Sequence, residues 1–329
     1  PFNQGTRPVS ADDPFRLFRT NAFPTLAIDD KGRVYAAWSE RGYWGRDNLE
    51  PKDGYADGSR IVVASSTDGG QTWANPYAAD ISDGPSPGHH VMPSLSYAAG
   101  KLTLLFYDFH DDFYPWLFNG ILATWNQPSL LPYDPSMPPA DAVAFDPLPI
   151  RHTVDVRVAV AQANGNGPAT FDGSSLQASR YLSTFVYDSS GPSPQYRLLQ
   201  LQSNQVNLPI FSGGTSPFIG DYIEIAASPQ FIPDPNNAGK WIYNNVSADA
   251  SVFHAVWTDN RNVMPPPAQV DQNGKLVRSD WTKYSPPSTS NGSPSASCGP
   301  DSWPGMRNQD IYTSRITQGL VMGSYGNAK

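Results

Sequence analysis

The sequence predicts an all-β protein, and three observations carry that prediction. Short apolar segments with a two-residue period recur along the chain and are bounded by Gly, Asp and Asn turns, as half-buried strands require. Proline is abundant, with 33 residues beside 27 glycines in a chain of 329, which favours many turns and long loops over helices. Aromatic residues make up 12% of the chain and charged residues only 16%, a balance that suits sheets. Helices have almost no support.

The first predicted hairpin pairs 23–28 with 33–38 across Asp29-Asp30-Lys31-Gly32. A Gly-, Tyr- and Asp-rich loop (41–59) leads to a third strand at 60–65. The next stretch, Ser66-Thr67-Asp68-Gly69-Gly70-Gln71-Thr72-Trp73, reads as a tight turn: Asp68 accepts backbone hydrogen bonds and the glycines supply positive φ. A fourth strand is expected to begin at Trp73, whose indole wedges against neighbouring strands. The scheme returns at 90–97 with 102–108. It returns more loosely at 217–225, which is expected to pair with 252–258, followed by a strand at 310–316. Further strands are expected at 154–161, 181–187 and 196–201. Repetition of short strands at this spacing favours a propeller over a sandwich. Two Pro-rich insertions, near 125–149 and 263–306, interrupt the scheme, and 323–329 reads as a linker to a further domain.

A formal net charge of −8 without any Lys/Arg run argues against nucleic-acid or anionic-membrane partners. The longest apolar runs are strand-sized, so none inserts through a bilayer as a helix. Cys298 is the single cysteine, which leaves no intrachain disulfide and no Cys-rich metal site.

The pattern Ser66-x-Asp68-x-Gly70-x-Thr72-Trp73 resembles the Asp-box, or BNR, hairpin of bacterial sialidase-like β-propellers. The stretches Arg19–Pro24, Gly88–Leu95, Phe218–Tyr222, Trp257–Arg261 and Met306–Tyr312 extend the likeness over nearly the whole chain. The resemblance implies a six-bladed propeller of four-stranded antiparallel blades, extracellular or on the cell surface, sitting among other domains of a larger protein. It implies a carbohydrate or surface glycoprotein as partner. Two functions follow: a glycan- or protein-binding module without demonstrated catalysis, or an exo-acting glycoside hydrolase of sialidase type. A structural subunit of an extracellular assembly is a third.

A sialidase needs arginines around a sugar carboxylate, a Tyr nucleophile with its Glu, and an Asp acid/base. The matching candidates are Arg19, Arg261 and Arg315; Tyr222 with Glu224; and Asp47 or Asp53. Each has a structural alternative. Arg19 follows Phe18, but the expected Arg-Ile-Pro motif is broken by an insertion, and a surface arginine explains it as well. Arg261 is equally explained by a salt bridge with Asp259 or Asp221, and Arg315 by a role within its strand. The aspartates fit a solvated acidic loop. Tyr222 and Glu224 share one face of a strand, as a nucleophile pair needs, although a core Tyr with a capping acid has the same pattern. Asp108, His110 and Asp112 fall on one side of an extended segment and offer oxygen-rich ligation to Ca²⁺; the alternative is a polar loop tip. The neighbouring aromatics, Phe109 to Phe118, suit either sugar stacking or local core.

Overall fold

The computed structural model describes residues 24–41, 59–82, 89–109, 154–163, 167–188, 195–200, 202, 204, 219–227, 229–245, 252–263, 269–270, 272, 276–277, 309–317 and 320–326. Among the described residues there is no helix, and all strand pairings are antiparallel.

The first sheet is a meander in chain order, β1 (Thr25–Ile28), β2 (Val34–Arg41), β3 (Ser59–Ser66) and β4 (Tyr77–Ala78). The second contains β5 (His90–Ala98), β6 (Lys101–Asp108), β7 (Asp155–Ala163) and β8 (Ala169–Thr170), with β9 (Leu176–Gln177) also on β7. A separate hairpin follows, β10 (Ser183–Asp188) and β11 (Gln195–Gln200). The third large sheet begins with β12 (Ile223–Ala227). The chain then forms the hairpin β13 (Phe231–Pro233) and β14 (Trp241–Tyr243), returns as β15 (Val252–Asp259), and makes a small hairpin, β16 (Gln269–Val270) and β17 (Leu276–Val277). It closes with β18 (Asp310–Thr317) and β19 (Leu320–Gly326), in the order β12-β15-β18-β19.

The second sheet lies between the other two. Along β6 the side chains alternate: Leu102, Leu104 and Phe106 pack with Tyr35, Ile61 and Val63 of the first sheet, whereas Leu105 and Tyr107 pack with Ile223, Ile225 and Trp257 of the third. Both faces are therefore dry, which is why 102–107 reads as an almost unbroken apolar run. Side chain to backbone hydrogen bonds stitch the sheets together. Leu95 N donates to Thr25 Oγ1, Ile225 N donates to Ser94 Oγ, and the Tyr107 hydroxyl both donates to Thr258 O and accepts from Thr258 N.

β1, β5 and β12 run in one direction, so the sheets share two ends. The entry end holds the starts of β3 and β5, tied by Ser59 Oγ to His90 O, and the ends of β6 and β15, tied through Tyr107. The turn end holds the β1–β2 turn, tied to the second sheet by the Tyr97 hydroxyl donating to Asp30 at 2.8 Å. β5 carries a bulge between Val91 and Ser94, with Met92 at φ 54° and Pro93 following. Proline fits a strand at such an irregularity because it has no N–H for the ladder.

The hairpin at Asp68 departs from the sequence expectation. Its partner strand starts at Tyr77, not Trp73. Four donors converge on the Asp68 carboxylate, from Ser66 Oγ, Gln71 N, Thr72 N and Thr72 Oγ1, and they hold the chain in the turn as far as Thr72. Trp73 then donates Nε1 to Gly70 O and remains 44% exposed, covering its own turn instead of wedging between strands.

Candidate functional site

Arg261 leaves the end of β15 through Trp257-Thr258-Asp259-Asn260 and turns back on Asp259. Its Nη2 and Nε donate to the two carboxylate oxygens at 2.6 and 3.0 Å, and its backbone N donates at 2.9 Å. Nη1 donates to Arg180 O at 2.6 Å. The guanidinium is sandwiched between two phenol rings, 3.9 Å from the Tyr312 centroid and 4.5 Å from that of Tyr181. This is the Asp259 ion pair, reinforced by cation–π contacts on both faces, with the two side chains 4% and 0% exposed. Burial lowers the proton affinity of the guanidinium, but its hydrogen bonds and charge attraction to Asp259 outweigh that and raise it above its ordinary value. Burial, and then the Asp259 charge, push the Tyr181 phenol well above its normal range, so it stays a donor to Val154 O. Asn260 and Gln309 extend the network, with Gln309 Nε2 donating to Asn260 Oδ1 and Ile219 O.

Tyr222, Glu224 and Arg315 lie elsewhere and share a surface. Ile223 and Ile225 face the core while Tyr222 and Glu224 are exposed, Tyr222 at 80%. The register places Glu224 opposite Val256, which in turn is opposite Thr313; Ala226 lies opposite His254, and His254 opposite Arg315. Two-residue alternation therefore puts Tyr222, Glu224, His254 and Arg315 on the outer face of the third sheet. His254 and Arg315 are direct cross-strand neighbours, and Glu224 is diagonal to His254, about 7–8 Å between Cα atoms. His254 is absent from the sequence-derived set, although its exposed place in an alternating strand, between Phe253 and Ala255, was the available signal.

Asp108 faces inward. Its Oδ1 lies 3.2 Å from His90 Nε2 and its Oδ2 3.4 Å from Arg157 Nε, and both aspartate and histidine are buried. Arg157 also faces Asp80 at 3.8 Å and donates to Ser175 Oγ, which in turn donates to Asp80. Asp155, buried opposite Asp108 across the strand pair, accepts from Gln177 Nε2 at 2.7 Å. These groups form a charged seam between the first two sheets. Among the described residues no group of three His, Cys, Asp or Glu is arranged to hold a metal ion. His110 and Asp112, the other proposed ligands, lie outside the described residues, as do Arg19, Asp47 and Asp53.

No family model matches the chain, and no curated protein is similar to it in sequence. Among solved structures it is similar to a Trypanosoma rangeli sialidase carrying a difluorosialic acid covalent intermediate, at 10% identity and a TM-score of 0.27 over 75% of this chain and 36% of that one. It is also similar to Penicillium chrysogenum α-L-arabinanase, at 14% identity and a TM-score of 0.24 over 75% and 74% of the two chains. A third is a mutant NanB sialidase from Streptococcus pneumoniae, at 12% identity and a TM-score of 0.25 over 98% and 65%. The chain spans little more than a third of the trypanosomal enzyme's length. Scores this low carry no weight for the chemistry, which rests on the geometry above.

Proposed function

We propose that the chain is a sialidase-like propeller module, secreted or at the cell surface, that binds glycan or protein partners without cleaving them. One observation carries this reading. Arg261, an expected member of the carboxylate-binding set, has its Nε, Nη1 and Nη2 all donating inside the protein and both guanidinium faces covered by tyrosines. Freeing it to clamp a substrate carboxylate would expose Asp259 as an uncompensated buried charge. It acts as a pillar of the entry end. The face-to-face packing of three antiparallel sheets supports a propeller, and six four-stranded blades belong to the same proposal, as do the neighbouring domains of a larger protein.

The binding surface in this reading is the outer face of the third sheet. Arg315 and His254 supply donors suited to an acidic sugar, and Tyr222 supplies an exposed ring. The exo-hydrolase remains the second reading because Tyr222 and Glu224 share that face, as a nucleophile pair must.

Incubation with a fluorogenic sialoside, beside binding to immobilised sialylated glycans, separates the two. The expected result is no turnover, with glycan retention reduced in Arg315→Ala and Tyr222→Ala variants of unchanged melting temperature. Turnover by the wild-type protein that Glu224→Ala abolishes would overturn the binding-only reading.

A further inference from the structure

The β13–β14 hairpin sits at the turn end and carries an exposed aromatic surface. Phe231 pairs with Tyr243, and Pro233 pairs with Trp241, so strand alternation puts all four on one face. The Tyr243 end of that face rests on the body of the protein. Its ring meets Phe231 at 4.7 Å and Tyr97 edge-on at 5.6 Å, and its hydroxyl donates to Ile28 O at 2.7 Å. The other end, where Trp241 stands opposite Pro233, is open, with Trp241 66% exposed, and Phe231 beside Tyr243 is itself 43% exposed.

This exposure is not slack. The loop between the strands is closed by Asp234 N donating to Lys240 O, and the Asp234 carboxylate accepts from Asn236 N and Asn237 Nδ2. Asn244 N donates to Gln230 O, its Nδ2 donates to Pro229 O, and Gln230 Nε2 donates to Tyr97 O, so the base of the hairpin is pinned to β5. A large indole is thus held out in water on a fixed mount. Trp73 differs, because its indole is tied to Gly70 O of its own turn.

Beside the aromatics stand fixed polar groups. Asp30, exposed in the β1–β2 turn, accepts from the Tyr97 hydroxyl through one carboxylate oxygen and from Asn245 Nδ2 through the other at 3.1 Å. A carboxylate has about four acceptor positions, so each oxygen keeps capacity directed to solvent. Asn245 lies two residues beyond Tyr243, so the Asp30–Asn245 pair stands next to the Tyr243 end of the aromatic face.

We propose that this hairpin is a binding platform for a neutral oligosaccharide, with Trp241 as the principal stacking plate, Phe231 as the second, and Asp30 with Asn245 bonding to sugar hydroxyls. A pyranose ring has an apolar C–H face and a rim of hydroxyls, and it complements a rigid indole fringed by acceptors and amides. The charges around the platform balance, Asp30 and Asp234 against Lys31 and Lys240, so it offers no net positive charge to recruit an acidic sugar. The site is distinct from the outer face of the third sheet, where Arg315 stands.

Intrinsic tryptophan fluorescence and titration calorimetry with cellohexaose, xylohexaose and chitohexaose test the proposal on the full chain. At least one probe is expected to bind, and Trp241→Ala is expected to weaken it about tenfold or more, Asp30→Asn less, and Trp73→Ala not at all. Since Trp241 is exposed, its replacement should leave the melting temperature unchanged, which thermal unfolding verifies. Binding that persists in Trp241→Ala, or no binding to any probe, overturns the platform. So does a wild-type dimer in light scattering that Trp241→Ala dissociates, because the patch would then serve a second copy of the chain. Binding lost in Arg315→Ala but kept in Trp241→Ala would sink the platform while supporting the sheet face, and the reverse pattern would separate them the other way.

Discussion

Asp259 at the entry end and Asp68 in the hairpin turn each receive four donors, yet they stand in opposite surroundings. Asp259 is fully buried and takes Trp257 Nε1 together with Arg261 N, Nε and Nη2. Asp68 is fully exposed and takes Ser66 Oγ, Gln71 N, Thr72 N and Thr72 Oγ1. Both carboxylates organise the backbone that follows them. The count of hydrogen bonds is equal, so burial and the presence of a partner charge decide how much stability depends on each.

Asp29 stands in surroundings like those of Asp259, buried beside an arginine of its own, Arg33. It is buried in the β1–β2 turn and accepts from Lys31 N, Arg33 N, Arg33 Nε at 2.6 Å and the Tyr35 hydroxyl. Arg33 and Tyr35 carry the connection outward, since Arg33 Nη1 donates to Gly167 O and the Tyr35 oxygen accepts from Ala169 N. Burial pushes the Tyr35 phenol up to about 12, and it remains a donor to Asp29 throughout the ordinary pH range.

The sharpest way to break the comparison is at Asp259. Arg261→Ala removes the cation from a buried carboxylate and also empties the slot between Tyr181 and Tyr312. A loss of about 3–5 kcal/mol is expected, the range for breaking a buried pair by deleting one partner, and denaturant unfolding measures it. A loss under about 1 kcal/mol, the level of an exposed pair, would show that the pillar is dispensable and return Arg261 to the list of ligand-binding residues.

Asp29 gives the second, smaller effect, and it has a pH signature. Burial raises its pKa, but the hydrogen bonds from Arg33 N, the Arg33 guanidinium, Tyr35 and Lys31 N outweigh burial and leave it below the ordinary carboxylate value. A folded-state pKa below the unfolded one contributes stability that is complete above the unfolded value, about 3.9, and fades as pH falls through the folded value. Asp29→Asn should therefore lower stability at pH 7 by about 1.5–3 kcal/mol, the range for hydrogen bonds to a charged group. Its melting temperature should fall less steeply below pH 4 than that of the wild type. Parallel acid profiles for the two proteins would place the pH dependence on other carboxylates.

How much of this was legible in the sequence depends on how far along the chain each contact reaches. The Asp68 turn, the Asp259–Arg261 pair and the Asp29 turn join residues within six positions, and the local pattern exposes them. Strands such as β6 and β15 were legible because their alternation survives burial. The tyrosines that clasp Arg261 come from β18 and from the segment before β10, distant in sequence, and no local pattern marks them as partners. The β13–β14 hairpin was missed for another reason: its strands are three residues each, split by a Pro-, Asn- and Gly-containing loop that masks their pairing. Trp73 misled because an aromatic after a turn reads as a core plate until its indole is found bonded back to Gly70 O.

The smallest effect is expected at Asp68. The hydrogen bonds hold its carboxyl far below the ordinary carboxylate range, led by the Thr72 hydroxyl, then Thr72 N and the Ser66 hydroxyl. That depression would suggest a large contribution if the group were buried, but water competes with the exposed Thr72 and Gln71 donors for the carboxylate, and only Ser66 is buried. Asp68→Ala should lower the melting temperature only slightly, much less than Arg261→Ala, and leave oligosaccharide and sialoside binding unchanged. Because the folded pKa is depressed, what contribution there is holds at neutral pH and is lost only in strong acid. A fall in melting temperature matching that of Arg261→Ala would refute the primacy of burial over hydrogen-bond count. It would also mean that the Ser66–Thr72 turn supports the β3–β4 pairing far more than its exposed position indicates.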